Sequence, residues 1–253
     1  MPILTRNGVG IYYEVHGKGP AILLTHGYSA TSDMWRPQIE ALSEDHTLVL
    51  WDMRGHGKSD YPEDPALYTE AATVGDMAAI LDKIGADRAI VGGLSLGGYM
   101  SLAFNAAFAQ RVRALLVIDT GPGFKNDAAR EQWNATARAT ADQLRKKGLA
   151  YLQEQSPERA TSTHRSADGL VRAALGMLTQ HDARVINSLP HIEVPALVVV
   201  GSNDEPFLNA SDYMAKKIPN AHKVVIPDAG HASNIDQPEV FNRAVLDFIN
   251  TIA

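Results

Sequence analysis

The chain has 253 residues, 45% hydrophobic and 21% charged, which suits one large α/β domain with ample material for a core. A formal net charge of −6 without acidic or basic blocks gives no electrostatic reason to expect a nucleic acid or an anionic membrane as partner. With no cysteine, disulfides, thiolate metal sites and a cysteine nucleophile are excluded, and the lack of a basic-then-apolar start or of a bilayer-length apolar stretch points to a cytoplasmic protein.

Ile3–Thr5 and Val9–Val15 flank Asn7-Gly8, a dipeptide suited to a tight hairpin turn, so an antiparallel pair is expected first. Short runs rich in branched apolar residues then recur at Ala21–Thr25, Thr47–Trp51, Ala89–Gly92, Ala114–Ile118, Ala196–Val200 and Lys223–Ile226. Strands this continuously apolar suit a parallel sheet covered on both faces. Helices are expected at Met34–Leu42, Ala71–Ile84, Gly98–Phe108, Asn209–Lys217 and Pro238–Ile252, giving repeated β-α-β winding. Between Gly121 and Pro190 the rhythm breaks. Apolar positions at helical spacing, including Trp133, Ala137, Leu144, Leu149 and Leu152, suggest three or four helices inserted after the sixth strand. The expected organisation is one domain with a core at 1–120 and 191–253 and a helical lid at about 121–190, because an unstructured loop of that length would be unusual.

Gly93-Leu94-Ser95-Leu96-Gly97-Gly98 runs directly from a strand into a helix. A serine on so sharp a turn needs small neighbours, and it projects its hydroxyl at a helix N-terminus where developing negative charge is stabilised. A phosphate loop would carry Lys after its last glycine, where Tyr99 stands. In a doubly wound sheet, working groups lie beyond the carboxyl ends of the strands. His222 precedes the run Lys223–Ile226, whereas His231 follows it in Asp228-Ala229-Gly230-His231, which makes His231 the candidate base. Asp204, in Gly201-Ser202-Asn203-Asp204 after Ala196–Val200, is the candidate acid, with Asp119 as runner-up and Asp228 assigned to fixing the loop.

Gly27, closing the strand Ala21–Thr25, would let the N–H of Tyr28 face the reacting centre, with the N–H of Leu96 as the second oxyanion donor. His26 suits a scaffold role beside the pocket, and Trp133, Leu144 and Met177 of the insertion are candidate substrate contacts together with His26 and Tyr28. Arg54-Gly55-His56-Gly57-Lys58-Ser59-Asp60 fits a salt-bridged turn better than a ligand site, and no histidine–carboxylate set has metal-ligand spacing. Neither a metal nor a cofactor is expected.

Taken in order, His26-Gly27 with Trp35, Asp52-Met53-Arg54-Gly55-His56-Gly57-Lys58-Ser59, the Ser95 turn, Gly201 with Asp204, and Gly230-His231 resemble the α/β-hydrolase family over essentially the whole chain outside the insertion. The resemblance implies an eight-stranded sheet, a Ser95–His231–Asp204 triad, a helical lid and a small-molecule ester or lactone substrate. Within the family the chain is most similar to small carboxylesterases and enol-lactonases. Carbon–carbon bond hydrolases share the triad, as do cofactor-free haloperoxidases, whereas dehalogenases and epoxide hydrolases carry Asp at the nucleophile position. A ligand receptor on the same fold would retain the triad without rapid turnover.

Overall fold

The computed structural model describes residues 2–154, 156, 159 and 161–252. Asn7 and Gly8 both take positive φ, 52° and 75°, and fold β1 (Ile3–Arg6) back onto β2 (Val9–His16). Six further strands follow: β3 (Ala21–Thr25), β4 (Thr47–Trp51), β5 (Ala89–Leu94), β6 (Val112–Ile118), β7 (Ala196–Gly201) and β8 (Ala221–Ile226). They form one eight-stranded sheet in the order β1-β2-β4-β3-β5-β6-β7-β8, parallel from β4 to β8 and antiparallel where β2 meets its neighbours.

Within the continuous apolar runs the two-residue period still sorts side chains between the faces. Leu23, Val49, Val91, Leu115, Val117 and Val198 join the core on one face; Ile22, Leu24, Leu48, Leu50, Leu116 and Val199 join the other. The helices close both layers, beginning with α1 (Ile39–Ser43), α2 (Glu70–Lys83) and α3 (Leu96–Phe108). Between β6 and β7 lie α4 (Asp127–Lys147), α5 (Ala167–Ala173) and α6 (Arg184–Ser188), with tight helical turns at Gly148–Glu154 and Leu189–His191 and a π turn at Ala174–Leu178. The chain ends with α7 (Glu205–Lys217), the short α8 (Ser233–Asp236) and α9 (Pro238–Thr251), whose Phe241, Val245, Phe248 and Ile249 form one buried stripe.

Three elements differ from the sequence expectation. The helix expected over Met34–Leu42 is a 3-10 turn, Ser32–Gln38, passing into α1, because Pro37 lacks the N–H that an α-helix would use there. The α7 helix starts at Glu205, four residues early, since Pro206 in its first turn needs no intrahelical donor. His222 lies inside β8, paired with Leu197, rather than ahead of the strand.

The loop leaving β4 is anchored by a buried bidentate ion pair. Arg54 Nε and Nη2 reach the two carboxylate oxygens of Asp76 on α2 at 2.6 and 2.8 Å, and Arg6 adds a third contact at 3.1 Å. Arg54 and Asp76 are 1% and 0% exposed, so this turn is a structural fastening and its cation is not offered to a ligand.

Candidate active site

Ser95 sits between β5 and α3 with φ 55° and ψ −115°, a conformation that costs a non-glycine residue free energy and needs outside support. That support comes from the exit of β6. The Ser95 N–H donates to the Ile118 carbonyl at 2.9 Å, and the Thr120 hydroxyl donates to the Ser95 carbonyl at 2.6 Å. The turn also packs against the end of β3 so closely that a Cβ on Gly97 would lie 2.1 Å from the Thr25 carbonyl oxygen. Ser95 is half-buried and opens into a cavity of about 290 Å³.

His231 and Asp204 come from the loops after β8 and β7. Asp204 Oδ2 lies 2.9 Å from His231 Nδ1, so Nδ1 carries a proton and Nε2 is left for a partner. Asp204 is 4% exposed and His231 is 24% exposed. The Phe207 ring, on α7, stacks on the imidazole with centroids 5.0 Å apart and also lines the cavity beside Ser95. No hydrogen bond joins the Ser95 hydroxyl to His231 in this structure; such contacts often tighten only when substrate is bound. The two loops approach so closely that a Cβ on Gly201 would meet the Gly230 carbonyl oxygen at 2.2 Å.

Asp119, the alternative acid, does not pair with His231. Its carboxylate accepts from the Gly201 N–H at 2.8 Å and from the N–H and hydroxyl of Ser233 at 3.1 and 2.6 Å. It thus ties the Asp204 loop to the His231 loop from beneath. Burial raises its pKa from the ordinary 3.8 to about 7, although the bonds from Ser233 and Gly201 oppose the rise.

The main-chain N–H groups of Tyr28 and Leu96 are taken up by no protein acceptor among the described residues. Gly27 lies outside the left-handed region and closes the turn that presents Tyr28 by its carbonyl, which accepts from the Ala30 N–H at 3.1 Å; the positive φ, 58°, falls on Ser29. The Tyr28 side chain is buried, with its hydroxyl donating to the Leu170 carbonyl at 2.8 Å.

Behind this loop three buried imidazoles follow one another, with centroids 4.9 Å apart for His26 and His56 and 5.8 Å for His56 and His164. Each accepts a main-chain N–H at one nitrogen, from Met53, Ser29 and Gly57 respectively. The other nitrogen must therefore donate, to the carbonyls of Gly27, Arg54 and Ser29. Both nitrogens are spent on the backbone, and burial lowers all three pKa values, that of His26 to about 4. His26 is thus a neutral strut rather than a substrate contact.

Of the residues proposed from sequence to line the pocket, Trp133 does so, alongside Tyr99, Phe124 and Phe207. Leu144 and Met177 do not line this cavity: they are 0% and 1% exposed and are packed in the core, where helical spacing places apolar residues whether or not a cavity is near. Gln180 and Phe207 line the site and were not singled out from sequence; nothing in their local pattern distinguishes them. Among the described residues no group of three or more His, Asp or Glu side chains is placed to hold a metal ion, and no helix is long and apolar enough to cross a membrane.

The doubly wound sheet, the serine on its strained strand-to-helix turn and the His–Asp pair across β7 and β8 define one class of protein. A family model for the alpha/beta hydrolase family matches residues 22–244, and the chain belongs to that family. Among curated relatives it is 27% identical to a putative 2-succinyl-6-hydroxy-2,4-cyclohexadiene-1-carboxylate synthase of Bacillus subtilis, over 96% of each chain. Among solved structures, an enol-lactonase from Burkholderia xenovorans LB400 is 28% identical, with a TM-score of 0.80 over 98% of this chain and 100% of that one. A thermophilic esterase from Thermogutta terrifontis, solved with malate bound, is also 28% identical, with a TM-score of 0.83 over 99% and 97%.

Proposed function

We propose that the protein is a serine hydrolase that cleaves small carboxylic esters through an acyl-enzyme on Ser95. The observation that carries this reading is the strained Ser95 facing an apolar cavity, with the His231–Asp204 pair stacked behind Phe207 at the cavity wall. In the cycle, His231 Nε2 takes the Ser95 proton as Oγ bonds to the acyl carbon, while Asp204 stabilises the imidazolium through Nδ1. The N–H groups of Tyr28 and Leu96 hold the oxyanion, and the N-terminal end of α3 adds its dipole. Collapse expels the alkoxide with the proton from His231. Water, deprotonated by the same nitrogen, then attacks the acyl-enzyme and releases the acid.

The helical segment at about 121–190 serves in this reading as a lid. It reaches the site through Trp133 and Phe124, and it is tied to the loops below through His164 and through the Tyr28–Leu170 bond. The enol-lactonase and esterase likenesses support acyl transfer from oxygen as the chemistry.

The test is nitrophenol release from acetyl, butyryl and octanoyl nitrophenyl esters by the native protein and by Ser95→Ala, with mass spectrometry of a trapped acyl-enzyme. A short-chain optimum that collapses in the variant, with the acyl mass on the Ser95 peptide, is the expected result. No native turnover, or turnover untouched by the substitution, would sink ester cleavage and turn attention to carbon–carbon bond substrates and to ligand binding without turnover.

A further inference from the structure

Glycine is kept where a side chain has no room or where the backbone turns left-handed, and most of this chain's 20 glycines answer to one of those needs. Eight take a positive φ, and nine more would bring a Cβ within 3.0 Å of another atom. Three answer to neither need, and all three border the candidate active site: Gly27 before Tyr28, Gly230 before His231, and Gly121 in the wall of the cavity beside Ser95. A Cβ on Gly27 or Gly230 would come no nearer than 3.4 Å to its surroundings, and one on Gly121 no nearer than 3.5 Å.

Of the three, Gly121 alone lines the cavity. The atoms that its Cβ would meet are Ala210 Cβ at 3.5 Å and the Phe207 ring at 3.9 and 4.0 Å, and both residues line the same cavity. A side chain at this position would therefore project into the cavity. Its place along the wall is set from both sides. The preceding Thr120 donates to the Ser95 carbonyl, and Phe207 stacks on the His231 imidazole, so Gly121 stands at the end of the cavity where the reacting carbon lies. The chain runs on through Pro122 to Phe124, whose ring packs against Trp133 with centroids 6.1 Å apart. An unbranched acyl chain laid along that wall leaves the room beside Gly121 unfilled and forfeits the dispersion contacts there. A second substituent on its first carbon fills it.

We propose that Gly121 is a specificity-determining residue: its missing side chain leaves room beside the reacting carbon, and the cavity takes acyl groups branched at the α-carbon, such as isobutyryl or cyclohexanecarbonyl. This deepens the ester-cleaving reading above and rests on it. One methylene of fit or misfit in an apolar pocket changes kcat/KM by about tenfold or more. A side chain added at Gly121 competes for the space of the branch and not for that of the linear chain, so it acts on selectivity. Because neither φ nor packing requires glycine there, the added side chain leaves the fold intact.

The test compares nitrophenyl esters of equal carbon count: 2-methylpropanoate against butanoate, and cyclohexanecarboxylate against heptanoate. Nitrophenol release gives kcat/KM for the native protein, Gly121→Ala and Gly121→Val, and thermal unfolding gives the Tm of each. Calorimetric titration of the corresponding methyl esters into Ser95→Ala, with and without Gly121→Val, gives affinities without turnover. In at least one pair the native protein is expected to hydrolyse the branched ester at least as fast as its linear isomer. Gly121→Val is expected to lower that branched-to-linear ratio about tenfold or more, with Gly121→Ala between the two proteins and its Tm unchanged or raised. Ser95-dependent turnover with the same ratio in all three proteins would overturn this inference alone, as would a native preference for the linear ester in both pairs or a loss of Tm in Gly121→Ala. Absence of turnover, with a branched preference still present in binding to Ser95→Ala and lost with Gly121→Val, would overturn ester cleavage and leave the role of Gly121 standing. Absence of both would overturn the two together.

Discussion

Replacing Asp119 with asparagine is expected to change how stability responds to pH. In the folded protein burial pushes this carboxyl up from 3.8 to about 7, so between those values the folded state keeps a proton that the unfolded chain has released. Stability therefore falls as pH rises from 3.8 towards about 7 and levels off above it. At about 1.4 kcal/mol for each pH unit, the full penalty is about 4 kcal/mol, of which about 2 kcal/mol falls between about pH 5.5 and about pH 8.5. The introduced amide would not titrate and would keep one carbonyl oxygen for the Gly201 N–H. Its nitrogen would face the Ser233 N–H, leaving a buried donor unpaired at a cost of about 1–3 kcal/mol at any pH. Urea unfolding of both proteins at the two pH values isolates the effect. The variant is expected to start less stable at the acidic end and to gain about 2 kcal/mol on the native protein at the alkaline end. Parallel pH dependences would refute the assignment of a buried, proton-holding carboxyl beneath the two loops.

Asp204→Asn is expected to keep the fold but lower kcat on a nitrophenyl ester by about ten-thousandfold, since the amide imposes the wrong imidazole tautomer; a loss below about tenfold would argue against the Asp204–His231 pair as the working one. Asp76→Ala strands the buried Arg54 guanidinium and is expected to cost about 3–5 kcal/mol in urea unfolding, with a cost below about 1 kcal/mol contradicting its role as a fastening. The folded state holds the pKa of His164 below its usual 6.5, despite the nearby Asp52 carboxylate, so its contribution is present above 6.5 and lost as pH falls below it. His164→Gln supplies both a donor and an acceptor without titrating, and is expected to lose less Tm than the native protein between about pH 7 and about pH 5; equal losses would count against the neutral strut. Trp133→Ala opens the cavity wall and is expected to lengthen the preferred acyl chain in a nitrophenyl ester series, whereas an unchanged optimum would place the acyl group elsewhere.

The strands were legible because continuous branched apolar runs demand cover on both faces, and the Ser95 turn was legible because Gly93, Gly97 and Gly98 have no other reason to crowd one junction. His231 and Asp204 could be chosen from among many by asking which edge of the sheet each loop leaves. That logic did not reveal the job of Asp119, which depends on hydrogen bonds to Gly201 and Ser233 far away in the chain. Helical periodicity located Trp133, Leu144 and Met177 as inward-facing, but it cannot tell a side chain that meets other side chains from one that meets empty space. Gln180 was invisible for a related reason: its place is set by Asn134, 46 residues earlier, through main-chain bonds that any residue at 180 would make. Asn134-Ala-Thr reads as a glycosylation pattern, yet the Asn134 amide is occupied in holding that segment.

The sheet order has a consequence for biosynthesis. Everything that shapes the Ser95 turn, from β3 through the exit of β6, lies within the first 120 residues, whereas Asp204 and His231 arrive with the two strands that extend one edge of the sheet. A ribosome-bound chain halted before β8 contains Ser95 but not His231, so on the proposed reading its serine has no base to activate it. On that reading a copy ending before β8 carries the proposed nucleophile without the residue that would make it reactive.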